Sequence, residues 1–264
     1  MRILMTGCSR SIGAYIRERL LEQGHAVFGV GLGGPNLEMD FNLEAHEPLH
    51  YEEELSYVFN QAEDRLGGPI DVLINNAGMT KIDFLENHSL GDFSSVLNVN
   101  LVAPFLFCRE FARRVKNDEQ TPHQFYPSVD RSGYLKGRLR RIVNTSSMGT
   151  KISLRASPGY CASKAGLDAL TKVFAKEFAG RLPIIICSIA PGGIDDTEMK
   201  AQAIRELQRT RGMSEEQATK YFSQSPFGRG CTFDEVWKLY DFAVNSLPEQ
   251  CSGTVLTMPG GMGV

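Results

Sequence analysis

The 264-residue sequence contains no apolar run that approaches the roughly 20 residues of a membrane-spanning helix. Its six cysteines form no Cys-x-x-Cys pair, and no second cluster completes the metal site that His46 and His50 could suggest. The formal net charge of −3 is unfavourable for general affinity for nucleic acid. These absences predict a protein without a metal, nucleic-acid or membrane partner. Unpaired cysteines and a strand that begins at once, leaving no room for a signal peptide, favour a cytoplasmic location.

A hydrophobic content of 42% and a charged content of 22% are typical of a globular protein, and the length predicts one α/β domain over 1–264. Apolar strand-like runs alternate with helical patterns along the chain. Strands are expected at 2–6, 26–31, 37–41, 70–75, 141–146, 184–190 and 253–258. Helices are expected at 12–23, 50–66, 92–115, 158–180 and 232–246. Right-handed crossovers make this a doubly wound, mostly parallel, seven-stranded sheet flanked by helices, with ligands at the carboxyl ends of its strands.

Tyr160 and Lys164 are four positions apart, so on a helix the phenol and the ammonium lie on one face. Ser157 can cap that helix, and Pro158 suits its first position. A cation about 4 Å from the phenol would contribute on the order of 4 kcal/mol and lower the phenol pKa from about 10 toward 7. The pair therefore predicts a general acid and base. An ordinary exposed helix with Tyr and Lys at this spacing is the alternative.

The first strand-like run leads into T-G-C-S-R-S-I-G at residues 6–13 and then into a helical pattern that ends near Gly24. Small residues let the backbone approach phosphates, and the free N–H groups at a helix N-terminus favour an anion. The turn predicts a dinucleotide pyrophosphate site, with Ser11 standing where a middle glycine would be expected.

Two further motifs follow later strand-like runs. N-N-A-G occupies 75–78, and Ser147 lies thirteen positions before Tyr160. With these motifs in this order, the sequence resembles the short-chain dehydrogenase/reductase family, with an architecture like that of the 3-oxoacyl-carrier-protein reductases. The resemblance extends from residue 1 to the Pro-Gly-Gly at 259–261. It implies a single-domain Rossmann fold and an NAD(P)-dependent oxidoreductase.

The resemblance implies a catalytic tetrad of Asn100, Ser147, Tyr160 and Lys164. Tyr160 would transfer a proton to or from the substrate oxygen, while Lys164 would lower the pKa of the tyrosine and bind the nicotinamide ribose. Ser147 would hold the carbonyl oxygen, and Asn100 would position a water that links Lys164 to solvent.

Two of these assignments have neighbouring alternatives. Asn100 is preferred over Asn98 by its distance from the N-N-A-G motif. Ser147 is preferred over Ser146 by its spacing to the tyrosine, although Gly149 comes one place early for the usual serine motif.

The resemblance also implies a set of cofactor-binding residues: Thr6, Gly7, Ser9, Arg10, Ser11, Ile12, Gly13, Asp40, Asn76, Ala77, Gly78, Tyr160, Lys164, Pro191, Gly192, Ile194 and Thr197. Ile194 would contact the carboxamide end of nicotinamide, and Thr197 comes one position later than usual. NADP(H) is expected rather than NAD(H), because the second strand ends at Gly31 without the carboxylate that binds a ribose diol. Arg10 could pair with a 2′-phosphate, and Asp40 would lie near adenine.

Two segments are expected at the periphery. Residues 195–226, helical somewhere within 197–222, would form a lid over the substrate. Residues 116–141 would form a long surface insertion. Its basic residues are expected to be solvated: Arg131, Lys136, Arg138, Arg140 and Arg141.

The expected partners are a small-molecule carbonyl or alcohol substrate and further copies of the chain. In the family, the helices that carry Asn100 and Tyr160 usually pack against their symmetry mates, which implies a homotetramer or a homodimer. Five phenylalanines suggest surplus aromatic surface on these helices: Phe105, Phe107, Phe111, Phe174 and Phe178. Packing against the protein's own sheet is the alternative. The rival function is a non-catalytic dinucleotide sensor or scaffold on the same fold.

Overall fold

The computed structural model of the protein describes residues 1–31, 33, 37–43, 48–118, 138–222 and 225–261. Within them, seven strands form one sheet in the order β3-β2-β1-β4-β5-β6-β7, and every described pairing is parallel. The strands are β1 (Arg2–Thr6), β2 (Ala26–Gly31), β3 (Met39–Asp40), β4 (Val72–Asn75), β5 (Arg140–Thr145), β6 (Ile184–Ala190) and β7 (Val255–Thr257). The strand order reverses direction beside β1, so the predicted doubly wound Rossmann sheet is confirmed.

Helices cover both faces of this sheet. They are α1 (Ser11–Glu22), α2 (Pro48–Leu66), α3 (Leu90–Leu97), α4 (Ala103–Asn117), α5 (Gly149–Ile152), α6 (Pro158–Phe178), α7 (Glu198–Arg211), α8 (Glu215–Phe222) and α9 (Phe233–Asn245). Buried side chains of α2, α4 and α6 form the core on one face, and those of α1 and α9 form the core on the other. Strands buried on both sides explain the continuous apolar runs seen in the sequence.

Several predicted boundaries change in the structure. The helix expected over 92–115 contains a π-helical turn at Asn98–Val102, which separates α3 from α4. The edge strand β3 has two residues instead of five, because only Met39 and Asp40 pair with β2. Ser157 precedes α6, but its side chain makes no capping hydrogen bond within the described residues, so that prediction is wrong.

The continuous helical stretch Leu90–Asn117 is long and apolar enough, by length and composition alone, to cross a membrane. In this protein its side chains Phe107, Phe111 and Val115 are buried in the core beneath the sheet. Core helices of this kind pass the same test, so the stretch is explained by packing within the fold.

The aromatic side chains of α4 and α6 are mostly used within the protein. Phe107, Phe111 and Phe178 are 0%, 1% and 5% exposed, so the expectation of surplus surface is wrong for these three. Phe105 and Phe174 are half-buried and contact each other, with ring centroids 6.1 Å apart.

Of the expected insertion over 116–141, residues 119–137 lie outside the described ranges, and the flanking residues form a buried charge cluster. Arg140, 2% exposed, donates to Asp71 Oδ1 at 3.0 Å and to Asp118 Oδ2 at 2.6 Å. Arg138 also pairs with Asp71. Arg140 and Arg141 lie on β5, so the expectation of a solvated loop is wrong for both. Arg141 was also expected in the strand over 141–146, and its place in a strand is confirmed.

Candidate functional site

The turn between β1 and α1 packs tightly against the turn that follows β4. Gly7 has a φ of +68°, and a Cβ atom there would lie 2.5 Å from the Cα of Ala77. A Cβ atom on Gly13 would lie 2.0 Å from the carbonyl oxygen of Gly7. A side chain at either position would clash with the backbone, which explains why both residues are glycine.

Two polar side chains tie these turns together. The hydroxyl oxygen of Thr6 accepts hydrogen bonds from the backbone N–H groups of Asn76 and Ala77, both at 3.2 Å. The side chain of Asn76 donates to the carbonyl oxygen of Gly7 at 2.7 Å. Thr6 and Asn76, both predicted cofactor ligands, therefore use these side-chain atoms to shape the site.

The N-terminus of α1 has the properties of an anion-binding site. Ser11 has a φ of +53°, the left-handed conformation for which the family's middle glycine is suited. Within the described residues, Arg10 makes no side-chain cap on α1, and the first turn of the helix contains no acidic residue. The backbone N–H groups in the first turn of α1 can therefore bind an anion. Together with the glycine turn, which allows a ligand close to the backbone, they fit the pyrophosphate of a dinucleotide. Ser9 and Ile12 belong to the same turn.

The side chains near the end of β2 are charged. Asp40 accepts a hydrogen bond from the backbone N–H of Gly33 at 3.1 Å and is exposed. Glu38, which the sequence reasoning missed, accepts from the backbone N–H of Gly29 and pairs with Arg17. The cation of Arg17 offsets this carboxylate. Glu38 lies within the strand expected over 37–41, and an acidic residue at that place was the signal from which the sequence could have identified it.

Asn100 is fully buried within the π-helical turn, a feature that is frequent at functional sites. Its side-chain oxygen accepts from the backbone N–H of Met79, and its amide nitrogen donates to the carbonyl oxygen of Met79, both at 2.9 Å. The amide nitrogen also donates to Ser163 Oγ at 3.1 Å. Asn100 therefore fixes the loop that follows the N-N-A-G motif.

Lys164 lies beside Asn100 and Gly78. A Cβ atom on Gly78 would be 3.4 Å from Lys164 Nζ and 3.5 Å from Asn100 Oδ1. The ammonium is almost fully buried and donates to the carbonyl oxygen of Thr145 at 2.6 Å. Burial lowers the pKa of Lys164 to about 8, and the negative charge of Asp168 acts in the opposite direction. Asp168 lies one turn further along α6 and was missed by the sequence reasoning.

The structure brings Ser147 to Tyr160. The side chain of Ser147 acts to lower the pKa of the phenol, and its hydroxyl accepts from the backbone N–H of Gly149 at 3.0 Å. Ser146 is 3% exposed, and its hydroxyl has no hydrogen-bond partner among the described residues. The geometry therefore favours Ser147 as the serine of the site.

The phenol of Tyr160 does not have the lowered pKa that the sequence predicted. Burial raises the pKa of Tyr160, and the neighbouring side chain of Ser147 opposes this rise only in part. Lys164 donates instead to the carbonyl of Thr145, so the expected lowering of the Tyr160 pKa is wrong for this structure. The site holds a phenol that keeps its proton at neutral pH and a lysine that titrates near pH 8.

The segment after β6 also lies at the carboxyl edge of the sheet, where the carboxyl ends of the parallel strands meet. Pro191, Gly192 and Ile194 follow the strand, and a Cβ atom on Gly192 would lie 3.0 Å from the carbonyl oxygen of Met258. The hydroxyl of Thr197 accepts from the backbone N–H of Lys200 at 3.1 Å and caps α7. Its one-position shift from the family spacing thus coincides with a capping role.

Within the expected lid over 195–226, α7 and α8 confirm the helical prediction, while residues 223 and 224 lie outside the described ranges. In the described part of the chain, no three His, Cys, Asp or Glu side chains are grouped to hold a metal ion. His46 lies outside the described residues.

The sequence matches the family described as short chain dehydrogenase over residues 1–122 and 124–208. It is 31% identical to the 3-oxoacyl-[acyl-carrier-protein] reductase of Aquifex aeolicus, over 98% of this chain and 96% of that protein. It is 25% identical to sorbitol-6-phosphate 2-dehydrogenase of Escherichia coli, with the same coverage. Among solved structures, a variant actinorhodin polyketide ketoreductase with NADPH has a TM-score of 0.81 at 22% identity, covering 99% of this chain and 97% of that one. The chain therefore belongs to the short-chain dehydrogenase family and is an NAD(P)-dependent oxidoreductase.

Proposed function

We propose that the protein is an NADP(H)-dependent oxidoreductase that interconverts a carbonyl compound and a secondary alcohol through Asn100, Ser147, Tyr160 and Lys164. The observation that carries this proposal is the placement of Tyr160 on α6 one helical turn from the buried ammonium of Lys164, with the side chain of Ser147 close enough to lower the pKa of the phenol. The pyrophosphate-binding features of the glycine turn lie at the same edge of the sheet.

The roles of these residues follow from their contacts. Tyr160 remains protonated at neutral pH and would donate its proton to the oxygen of a carbonyl substrate, while Ser147 would hold that oxygen. Lys164 would bind the nicotinamide ribose, and Asn100 would maintain the loop beside it. When bound, the cofactor supplies or accepts the hydride at the substrate carbon. Proton transfer by a positioned side chain contributes roughly 10²- to 10⁴-fold to such reactions.

The names of three similar proteins support this chemistry. The Aquifex aeolicus protein is named as a reductase of a 3-oxoacyl group, and the ketoreductase structure contains NADPH. The Escherichia coli protein is named as the dehydrogenase of a phosphorylated polyol. A carbonyl or secondary alcohol is common to these names, and we propose that substrate class for this chain.

A panel of ketones, 3-oxoacyl thioesters and sugars, assayed with NADPH and NADH by absorbance at the nicotinamide band, tests the proposal. We expect substrate-dependent oxidation of NADPH. Cofactor binding without turnover on any member of the panel would favour the rival function, a non-catalytic dinucleotide sensor or scaffold.

Replacement of Arg10 should separate the two cofactors. Arg10 is exposed beside the glycine turn, where its guanidinium can pair with a 2′-phosphate through charge-assisted hydrogen bonds. We expect Arg10→Ala to raise the Kd of NADPH by roughly tenfold, since hydrogen bonds to charged groups contribute about 1.5–3 kcal/mol. The Kd of NADH should change little. Equal or tighter binding of NADH by the unaltered protein, unaffected by Arg10→Ala, would refute the NADP(H) preference.

The pH dependence should differ between the two directions. Alcohol oxidation needs the phenolate of Tyr160, and burial raises the pKa of this phenol above its usual value, so the oxidation rate should increase steadily from pH 7 to pH 10. Carbonyl reduction needs the protonated phenol, which persists over this range. Initial rates in both directions at saturating substrate provide the measurement. An oxidation rate that falls between pH 7 and pH 9 would contradict the role of Tyr160.

We also propose that the protein forms a homotetramer or a homodimer through α4 and α6. Val102 and Val173 are 42% and 47% exposed, close in sequence to the half-buried pair Phe105 and Phe174. Light scattering at micromolar concentration should give the mass of two or four chains, and a monomeric mass would contradict this proposal.

We propose that residues 1–264 act as one cofactor-binding and catalytic domain, with 195–226 as a substrate lid. Of the expected surface insertion over 116–141, we propose only the part between the end of α4 and the start of β5. We propose that the protein acts in the cytoplasm, without a metal, nucleic-acid or membrane partner.

A further inference from the structure

Arg10 and Glu198 form an ion pair between two parts of the chain that are 188 positions apart. Arg10 Nη1 donates to Glu198 Oε2 at 2.9 Å. Arg10 belongs to the turn after β1, whereas Glu198 is the first residue of α7 and follows β6. Because β4 and β5 lie between those two strands in the sheet, the ion pair connects the cofactor turn with the proposed lid across the carboxyl edge.

A second ion pair holds the other end of α7. Arg209 Nη2 donates to Asp83 Oδ2 at 2.9 Å, and Asp83 belongs to the segment that follows the N-N-A-G motif. The 14 residues of α7 span roughly 20 Å, so the two tethers are well separated. Only the first of these two tethers includes the residue that we assign to a 2′-phosphate.

We propose that Glu198 competes with the 2′-phosphate of NADP(H) for Arg10 and thereby sets the affinity of the protein for the phosphorylated cofactor. The inference rests on the proposed preference for NADP(H). A guanidinium presents its N–H donors in a fixed fork that suits phosphate oxygens, and Glu198 occupies one end of that fork. A phosphate on the same group must displace this carboxylate or lie close to a like charge.

The exposure of the pair sets the size of the effect. The side chains of Arg10 and Glu198 are 77% and 63% exposed, and ion pairs of this kind contribute little, equivalent to roughly a 1.4- to fivefold change in an equilibrium constant. By reciprocity, binding of the phosphorylated cofactor weakens the Arg10–Glu198 tether by the same factor. Occupation of the cofactor site is thus linked to the freedom of the first turn of α7.

Glu198→Gln tests the proposal because it keeps the size of the side chain and removes its charge. The Kd values of NADPH and NADH are measured by cofactor fluorescence, and those of adenosine 2′,5′-bisphosphate and adenosine 5′-monophosphate by calorimetry. The two fragments lack nicotinamide and isolate the phosphate contact. Arg209→Gln is the matched control, since it breaks the second tether of α7 without changing Arg10 or Glu198.

We expect Glu198→Gln to lower the Kd of NADPH and of adenosine 2′,5′-bisphosphate by roughly two- to fivefold and to leave the Kd of NADH and of adenosine 5′-monophosphate unchanged. Arg209→Gln should change the Kd of NADPH and NADH by the same factor, and likewise the Kd of the two nucleotide fragments. Unchanged NADPH affinity in Glu198→Gln, or equal tightening of NADPH and NADH, would overturn the competition. If Arg10→Ala leaves NADPH binding unchanged, the proposed preference for NADP(H) fails and the competition fails with it. If Arg10→Ala weakens NADPH binding but Glu198→Gln does not change it, only the competition fails.

Discussion

Tyr160→Phe is expected to lower kcat at least about 100-fold, while the Kd of NADPH changes less than about twofold. Phenylalanine keeps the ring and its packing on α6 but removes the hydroxyl whose pKa Ser147 helps to set. In the proposed mechanism no other side chain supplies the proton. The loss should therefore appear in turnover rather than in binding, as measured by initial rates together with fluorescence titration of the cofactor.

Tyr57→Phe is the matched control for this substitution. Tyr57 is 55% exposed on α2, far in sequence from the site motifs, so its variant should retain full turnover. A Tyr160→Phe protein that keeps more than about a tenth of the original activity would show that the phenol is not the general acid, because acid catalysis contributes at least about 100-fold.

Asp71→Asn is expected to lower the free energy of unfolding by about 3 kcal/mol, the lower end of the range for breaking a buried ion pair. Asp71 is 3% exposed and lies among the cations of Arg2, Arg138 and Arg140. The neutral amide would leave Asp118 as the remaining carboxylate of this described cluster. The guanidinium of Arg140, 2% exposed, would then be incompletely compensated. Urea unfolding followed by circular dichroism provides the measurement.

Asp234→Asn is the control. The side chains of Asp234 and Lys238 are 52% and 70% exposed, so their ion pair should contribute at most about 1 kcal/mol to the free energy of unfolding. A loss below about 1 kcal/mol in Asp71→Asn would show that the buried cluster is not important for stability. Because the cluster lies at the amino-terminal ends of β4 and β5, Asp71→Asn should leave the kcat of the folded protein nearly unchanged.

The parts of the site that the sequence predicted are those defined by backbone rules. Alternating strands and helices, glycines forced by close approach, and a spacing of one helical turn between Tyr160 and Lys164 follow from local geometry. The structure agrees in the seven-stranded, doubly wound parallel sheet and in the close packing at Gly7 and Gly13.

The parts that sequence reasoning missed depend on contacts between distant residues. The pKa of Tyr160 depends on burial, and its direction could not be inferred from the i, i+4 spacing with Lys164. Arg140 resembled a residue of a basic loop, yet Asp71 and Asp118 allow it to be buried. The partner of Arg10 is 188 positions away, so its ion pair with Glu198 left no local pattern.

The central claim is that Tyr160 is the proton donor in NADPH-dependent reduction of a carbonyl compound. Its most direct test is alcohol formation from the best carbonyl substrate of the panel in a single turnover, with NADPH and with enzyme in excess. We predict one alcohol formed for each NADPH consumed by the unaltered protein. The Tyr160→Phe variant should form the alcohol at least about 100-fold more slowly at equal cofactor occupancy. Equal rates of alcohol formation by the two proteins, or NADPH binding without alcohol from any carbonyl compound, would contradict this account.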